Sequence, residues 1–284
     1  MSNKVKKAAF SSALAAVFLT VIKLIVGLKT NSIGILAEAT HSAVDLVAAL
    51  VTLWAVKLSA VPADRDHHFG HGKVENLAAL FETVLLWGTC LWITWEAGNR
   101  LLGHSNAHIE SGIWAIGVII ISIVVDITRS RELNRVAKEH NSQALAADAL
   151  HFQTDAYSSA AVLLGLICSL SGFVIADAIA AMGVVIWTFI LSIKLAKESF
   201  DQLMDKAPAG LEEKLSLLIK EVGEVKVISS LKVRQSGPNT FIDLTIGLDK
   251  KISLEIAHQI TDLIEEKIKQ EIPNSVISIH PEPS

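Results

Sequence analysis

Residues 33–54, IGILAEATHSAVDLVAALVTLW, form an apolar run of 22 residues with ionisable side chains near its middle. A helix needs about 20 apolar residues to cross the hydrocarbon core of a bilayer, because each residue adds about 1.5 Å. The length therefore predicts a membrane-spanning helix. An ionisable side chain at the centre of such a helix costs on the order of 2.5–3.5 kcal/mol, so we expect His41 and Asp45 to have a function.

Five further runs have a similar length and apolar composition. Hydrophobic residues make up 51% of the 284 residues, charged residues make up 19%, and the mean hydropathy is +0.46. A soluble domain is rarely this apolar, so we interpret the chain as an α-helical protein of the lipid bilayer with six transmembrane helices. The six predicted spans are 8–28, 33–54, 77–101, 109–127, 145–172 and 175–195.

Net charge and cysteine content narrow the class of protein. The formal net charge of −4 gives no indication of a nucleic-acid partner. Cys90 and Cys168 lie in separate apolar runs, without a C-x-x-C pair or a disulfide framework. A metal site in this chain would therefore use histidine and carboxylate ligands.

Lysine and arginine are concentrated in alternate connections between the predicted spans, and this bias sets the orientation of a membrane protein. We expect a multi-pass protein of the inner, cytoplasmic membrane with both termini in the cytoplasm. Lys23 interrupts the first span and is expected to extend toward a membrane interface. The basic residues on the predicted cytoplasmic side are Lys4, Lys6, Lys7, Lys57, Arg65, Lys73, Arg129, Arg131, Arg135, Lys138, Lys194 and Lys197.

The composition changes after Ala207, where Pro208 is expected to end the sixth helix. We therefore divide the chain into a transmembrane domain, 1–207, and a cytoplasmic domain, 208–284. Amphipathic helical patterns and β-branched runs follow one another in the order αββαβ, which is typical of a small α+β domain with helices on one face of a sheet. The predicted elements are 211–222, 225–233, 241–248, 254–268 and 276–279.

The ionisable pair of the second span has a counterpart in the fifth. His41 and Asp45 form a His-x-x-x-Asp motif, and so do His151 and Asp155. A spacing of four places both side chains of a pair on one helix face, near the middle of each span. A divalent cation would neutralise the two carboxylates, and four nitrogen and oxygen ligands suit Zn²⁺. The alternative is a set of buried hydrogen-bonded pairs between helices.

The connection after the second span contains a second group of histidines and aspartates. Asp64, Asp66, His67, His68 and His71 occur within eight residues, and FGHGK at 69–73 predicts a compact turn. This composition favours a metal site in the loop. A solvated surface loop is the alternative.

Several stretches resemble the cation diffusion facilitator family. The resemblance covers the whole chain and implies a proton-coupled exporter of divalent metals that works as a homodimer. It also implies that the cytoplasmic domain is metallochaperone-like. The matching stretches are GILAEATHSAVD at 34–45, HFGHGKVENL at 68–77, DALHFQTD at 148–155, LMD at 203–205 and RQSG at 234–237.

The resemblance also implies roles for individual residues. The residues that match the family's transport site are His41, Asp45, His151 and Asp155, and those that match its loop site are Asp64, His67 and His71. Lys73 and Asp205 match a charge interlock between subunits.

A third group matches part of the family's cytoplasmic-domain site. It consists of His258, His280 and Glu282. Ser229 and Thr245 stand where relatives with two-metal sites carry histidine. A weakened or single-metal site, or a folded interface without metal, is therefore the expectation for this domain.

We predict a transporter and not an enzyme. Histidine at position 41, where some relatives carry aspartate, favours Zn²⁺ as the exported ion, with Cd²⁺, Fe²⁺, Co²⁺ and Mn²⁺ as alternatives. Zn²⁺ is expected both as cargo and as a structural ion. A membrane metalloenzyme would need a substrate pocket, and the chain has no H-E-x-x-H motif; an ATP-driven pump would need a P-loop, which is absent. A membrane-anchored metal sensor would use the same ligands, and a flux assay separates it from a transporter.

Overall fold

The computed structural model describes residues 3–30, 33–101, 113–170 and 176–284. The first part of the chain forms long helices of 27 or 28 residues. At about 1.5 Å per residue each is roughly 40 Å long, which exceeds the thickness of a hydrocarbon core. These helices are α1 (Asn3–Thr30), α2 (Ile33–Ser59), α3 (Val74–Leu101), α4 (Ile113–His140), α5 (Gln143–Leu170) and α6 (Ala176–Leu203).

The helices expose large apolar side chains and bury small or polar ones. Phe18, Leu91, Trp95 and Ile190 are among the exposed large apolar residues. Alanines dominate the core between α1, α2, α4 and α5, where small side chains let helix backbones approach closely. Because water does not favour such an exterior, the distribution indicates that lipid surrounds these helices.

Three of the helices among the described residues are long and apolar enough to be candidate membrane spans: Asn3–Lys29, Glu38–Ser59 and Val74–Asn99. The prediction of a helical membrane protein is thereby supported at this coarser level. Parts of the fourth, fifth and sixth predicted spans fall on 102–112 and 171–175, which lie outside the described residues. The count of six spans stays a prediction.

Two helix ends differ from the sequence-based expectation. Helix α4 continues to His140, so Arg129 and Arg135 lie on a helix and not in a loop. Hydropathy detects only the part of a helix that lies in the bilayer, so it does not detect the polar residues that continue α4 beyond it. Helix α6 ends at Leu203, before Pro208, because Asp205 adopts a left-handed conformation with φ 59°.

The remaining chain folds into a three-stranded sheet and two helices in the predicted order. Strand β2 is central, antiparallel to β1 and parallel to β3. Alternate residues of β2, Ile242, Leu244 and Ile246, share one core with both helices, which therefore cover one face of the sheet. The elements are α7 (Leu211–Lys220), β1 (Val227–Ser236), β2 (Asn239–Leu248), α8 (Leu254–Glu271) and β3 (Ser275–Pro283).

The loop between α2 and α3 contacts this small domain through aromatic and charged side chains. The Arg234 guanidinium lies 4.2 Å from the ring centroid of Phe69 and 4.9 Å from that of Phe241. Lys73 Nζ is 2.9 Å from Asp205 Oδ1, and Arg234 Nη1 is 3.5 Å from the same oxygen. This ion pair forms within one chain, whereas the resemblance associates the two residues with an interlock between subunits.

Asp205 therefore has two roles that substitution can separate. Asparagine tolerates a positive φ but removes the charge, so we expect Asp205→Asn to cost no more than about 1 kcal/mol at this half-exposed ion pair. Alanine at φ 59° should cost about 1 kcal/mol more. Thermal unfolding in detergent at low and high salt would measure both effects, because salt weakens only the charge contribution. Equal losses for the two variants would contradict the backbone role.

Candidate metal sites

Two helices bring the four ligands predicted within the membrane together. His41 and Asp45 lie one turn apart on α2, and His151 and Asp155 lie one turn apart on α5. His151 Nε2 is 2.9 Å from Asp45 Oδ1, which links the two helices by a hydrogen bond. His41 Nε2 is 3.7 Å from Asp155 Oδ1 and closes the group from the other side. We refer to these four residues as the helix site.

Three residues of the helix site, His41, Asp45 and Asp155, offer ligand atoms that all lie within 4.8 Å of one another, and His151 contacts both carboxylates. Within each helix, the His41 Nε2–Asp45 Oδ1 distance is 3.9 Å and the His151 Nε2–Asp155 Oδ2 distance is 3.7 Å. Nitrogen and oxygen ligands about 2.0–2.2 Å from Zn²⁺ stand roughly 3.3–3.5 Å from one another in a tetrahedron. Three ligands are therefore close enough to share an ion, and coordination by all four residues would require their side chains to move.

The helix site is more open on one side than on the other. The His151 side chain is 3% exposed, whereas the His41 side chain is 23% exposed. The His41 ring lies 5.8 Å from the ring of Trp92 on α3. An ion would therefore reach the site from the side of His41 in this conformation.

Lys23 lies next to this site, and the expectation that it extends to a membrane interface was wrong. Its side chain is buried, and its ammonium donates to Ser42 Oγ at 2.8 Å and to Glu38 Oε2 at 3.2 Å. Ser42 follows His41 directly on α2. Hydrogen-bond acceptors on the neighbouring helix hold the ammonium inside the bundle, which sequence position alone does not indicate.

The loop site contains the predicted residues Asp64, His67 and His71, and their ligand atoms lie within 4.8 Å of one another. Asp64 Oδ1 is 3.5 Å from His67 Nδ1, and Asp64 Oδ2 is 3.6 Å from His71 Nε2. The backbone N–H groups of Asp66 and His67 donate to Asp64 Oδ1 at 3.0 Å and 2.7 Å. The turn thus fixes the carboxylate beside both imidazoles.

The tail residues His258, His280 and Glu282 are not brought into one cluster among the described residues. His280 Nε2 is 3.9 Å from Glu282 Oε1 on β3, and Thr245 is the register partner of His280 on β2. His258 on α8 instead lies 3.7 Å from Asp262. A metal site in this domain stays a prediction.

Sequence reasoning missed Glu82 on α3. It is fully buried and accepts a hydrogen bond from Thr52 on α2. The signal was present, since an ionisable residue inside a predicted span is expected to be functional. Glu82 has no histidine partner at a spacing of four, so no motif drew attention to it.

Apolar-faced helices, an imidazole–carboxylate group between two of them and a small α/β domain define a membrane transporter of cations. Residues 9–204 match the family model of the cation efflux transmembrane domain, and residues 208–284 match that of the cation efflux protein cytoplasmic domain. The chain belongs to the cation efflux family, also called the cation diffusion facilitator family. Members of this family transport cations and are not enzymes.

Individual relatives cover nearly the whole chain. The cation-efflux pump FieF of Pectobacterium atrosepticum is 32% identical over 278 residues, 97% of this chain and 92% of that protein. FieF of Yersinia enterocolitica is 32% identical over 282 residues, 99% of this chain and 93% of that protein. A solved structure of CzrB in its zinc form is 26% identical, covers 27% of this chain and 89% of its own, and has a TM-score of 0.26.

Asp64 offers a test of the loop site. The backbone N–H of His67, the N–H of Asp66 and the nearby imidazoles lower the pKa of Asp64 below its ordinary value of 3.8. The ionised carboxylate therefore stabilises the folded loop above about pH 3.8. This stabilisation is lost only as the pH falls through the lower pKa that Asp64 has in the folded protein. We expect hydrogen-exchange protection of 64–70, corrected for intrinsic rates, to persist from about pH 8 to pH 5.

Two substitutions of Asp64 separate its role in the turn from its predicted role as a metal ligand. Asp64→Asn should keep the protection, because its amide oxygen still accepts the N–H groups, but should weaken zinc binding at the loop site at least about tenfold. Asp64→Ala should lose both. Both measurements are made in an Asp155→Ala background. Loss of protection between pH 6 and pH 5 would contradict the role of the ionised carboxylate.

Proposed function

We propose that this protein exports divalent transition-metal cations in exchange for protons, with Zn²⁺ as the principal cargo. The observation that carries this proposal is the meeting of two His-x-x-x-Asp pairs at the helix site, joined by the 2.9 Å contact from His151 to Asp45. Both pairs lie on helices with lipid-facing exteriors, where isolated charges are costly. A bound divalent cation compensates both carboxylates and uses both imidazoles.

The proposed arrangement in the membrane has six spans, with both termini in the cytoplasm of the cell and the inner membrane as its location. Lys and Arg at alternate connections support the orientation. The domain boundaries proposed are 1–207 for transport and 208–284 for the cytoplasmic domain. A homodimer is proposed because the tail matches the cytoplasmic domain of the cation efflux family, and the resemblance implies pairing of two chains.

The donor set supports zinc over harder ions. Two imidazole nitrogens and two carboxylate oxygens are a donor set that suits Zn²⁺ and Cd²⁺. Mn²⁺ and Fe²⁺ favour oxygen-richer sites, and Co²⁺ lies between these groups. His41 is therefore proposed to bias the site toward zinc.

Ligand chemistry couples the metal to protons. Imidazole must be neutral and carboxylate must be ionised to bind the ion, so metal and protons compete for the same four side chains. Exporting a divalent cation against 100 mV costs about 4.6 kcal/mol, and one entering proton returns about 2.3 kcal/mol. Uphill export therefore requires coupling to an inward proton flow.

Alternating access needs only a change in how the helices meet. His41 and Asp45 lie on α2, whereas His151 and Asp155 lie on α5. A rocking motion of α2 against α5 would therefore change the side from which the ion enters. Protonation on the outer side would then expel the metal, and cytoplasmic metal would displace the protons on the inner side.

Removing one ligand tests the helix site. Asp155→Ala should reduce zinc flux into proteoliposomes by more than about 100-fold, since losing even an outer-shell partner of a metal costs 10–100-fold. Gln153→Ala is the matched control, because Gln153 lies on the same helix and bonds Tyr157 instead of the site. Size-exclusion chromatography would check that both variants stay folded. Wild-type flux in folded Asp155→Ala would refute the assignment.

Proton release tests the exchange mechanism. In a variant whose loop ligands Asp64, His67 and His71 are replaced by alanine, zinc affinity should fall steeply from about pH 7.5 to pH 5.5, across the reference range of imidazole. Calorimetry in buffers of different ionisation enthalpy would count the protons that leave with each bound zinc. A count of zero with flat affinity would exclude exchange but leave a passive metal path.

A further inference from the structure

Two buried acid–hydroxyl pairs lie toward the end of the helices that contacts the tail domain. Together they contribute two carboxylates and two hydroxyls from α1, α2, α3 and α5. Ser12 Oγ donates to Asp148 Oδ2 at 2.6 Å, and Thr52 Oγ1 donates to Glu82 Oε1. All four side chains are at most 1% exposed. We refer to these four residues as the four-oxygen cluster.

The spacing along α2 places this cluster between the helix site and the helix end. Asp45, Thr52 and Ser59 are seven residues apart, so they share one helix face in steps of about 10 Å. Helix α3 returns alongside α2, and Glu82 bonds Thr52 while Glu75 bonds Ser59. Ser59 is the last residue of α2, where the loop that contacts the tail begins. A buried row of acid–hydroxyl pairs therefore leads from the helix end toward Asp45.

The two acids of this row differ in their hydrogen bonds. Glu75 Oε1 accepts from Ser59 Oγ at 2.8 Å, and Glu75 Oε2 accepts from Ser142 Oγ. Glu82 has Thr52 on one oxygen, while its buried Oε2 has no hydrogen-bond donor among the described residues. A buried carboxylate oxygen without a donor is costly. Glu75 thus fastens helix ends together, whereas Glu82 retains a free coordination position.

The electrostatic surroundings favour a cation at that position. Glu82 and Asp148 interact electrostatically with each other, and both interact with His151 of the helix site. Arg129, which donates to Ser11, supplies positive charge to Asp148 from α4. In a low dielectric, two neighbouring carboxylates repel each other, and either one of them stays protonated or a positive charge compensates both. A divalent cation would supply it and would be held by oxygens from four helices.

We propose that the four-oxygen cluster is a second, transient cation-binding site that a divalent metal occupies before it reaches the helix site. This inference rests on the proposed transport function and deepens it. Hydroxyl and carboxylate oxygens accept divalent cations without preferring zinc, so selection remains with the imidazoles of the helix site. Moderate affinity suits the role, because a site on a route must bind the ion and release it again.

Glu82→Gln tests this site, since glutamine keeps an oxygen for Thr52 and removes the charge. With zinc supplied on the tail-domain side of proteoliposomes, kcat/KM should fall roughly tenfold, as expected for a lost carboxylate beside a metal. Zinc affinity of the helix site, measured by calorimetry in the background without loop ligands, should fall by less than about threefold. Glu132→Gln is the matched control, because Glu132 is an acid of α4 that bonds the exposed Arg135.

A second variant makes the result independent of one substitution. Asp148→Asn should give a similar loss, and the double variant should lose little more, since both residues would serve one site. An unchanged kcat/KM in Glu82→Gln would overturn the proposal. A fall in kcat/KM no larger than the fall in zinc affinity of the helix site would also overturn it, because the substitution would then act on the helix site alone. So would a changed number of released protons with normal flux, because Glu82 would then hold a proton and not a metal ion. The proposed function itself would be refuted if the wild-type protein showed no zinc flux, or if Asp155→Ala showed normal flux.

Discussion

Charged side chains inside a bundle surrounded by lipid must be neutralised by their neighbours, because no solvent is available to do so. His41, Asp45, His151 and Asp155 satisfy this constraint by facing one another across α2 and α5. Lys23 satisfies it through the carboxylate of Glu38, with a further hydrogen bond to Ser42. Each of these pairings joins two different helices, so the pairings help to fix how the helices lie against one another.

Small residues make these pairings possible. Ala9, Ala55, Ala144 and Ala149 are buried where α1, α2 and α5 converge. With side chains of this size the helix backbones approach closely, so short polar groups such as Ser12 and Thr52 reach across the gap. Larger apolar residues are left to face outward, and the resulting exterior is what sequence hydropathy detects. One packing rule thus explains both the apolar surface and the polar interior.

The sequence predicted the features that depend on local periodicity. The His-x-x-x-Asp spacing places both members of each pair on one face, and the αββαβ order of the tail follows from alternating patterns. Lys23 was misplaced and Glu82 was missed, because their environments depend on residues of other helices. The end of α6 depends on the left-handed conformation of Asp205, a backbone property that the sequence pattern does not indicate. The prediction therefore placed the end at Pro208.

The division of ligands between helices also determines what motion the site allows. Helix α1 packs along α2, and α4 packs along α5, so each His-x-x-x-Asp pair lies on its own helix pair. The alanine-rich core packs the two helix pairs against each other as well as the helices within each pair, because it contains residues of α1, α2, α4 and α5. The His151–Asp45 and His41–Asp155 contacts join the two helix pairs at the site, and a metal ion there would replace them with coordination from both helices. Metal binding at this site, as proposed, would therefore change the interaction between the two helix pairs directly.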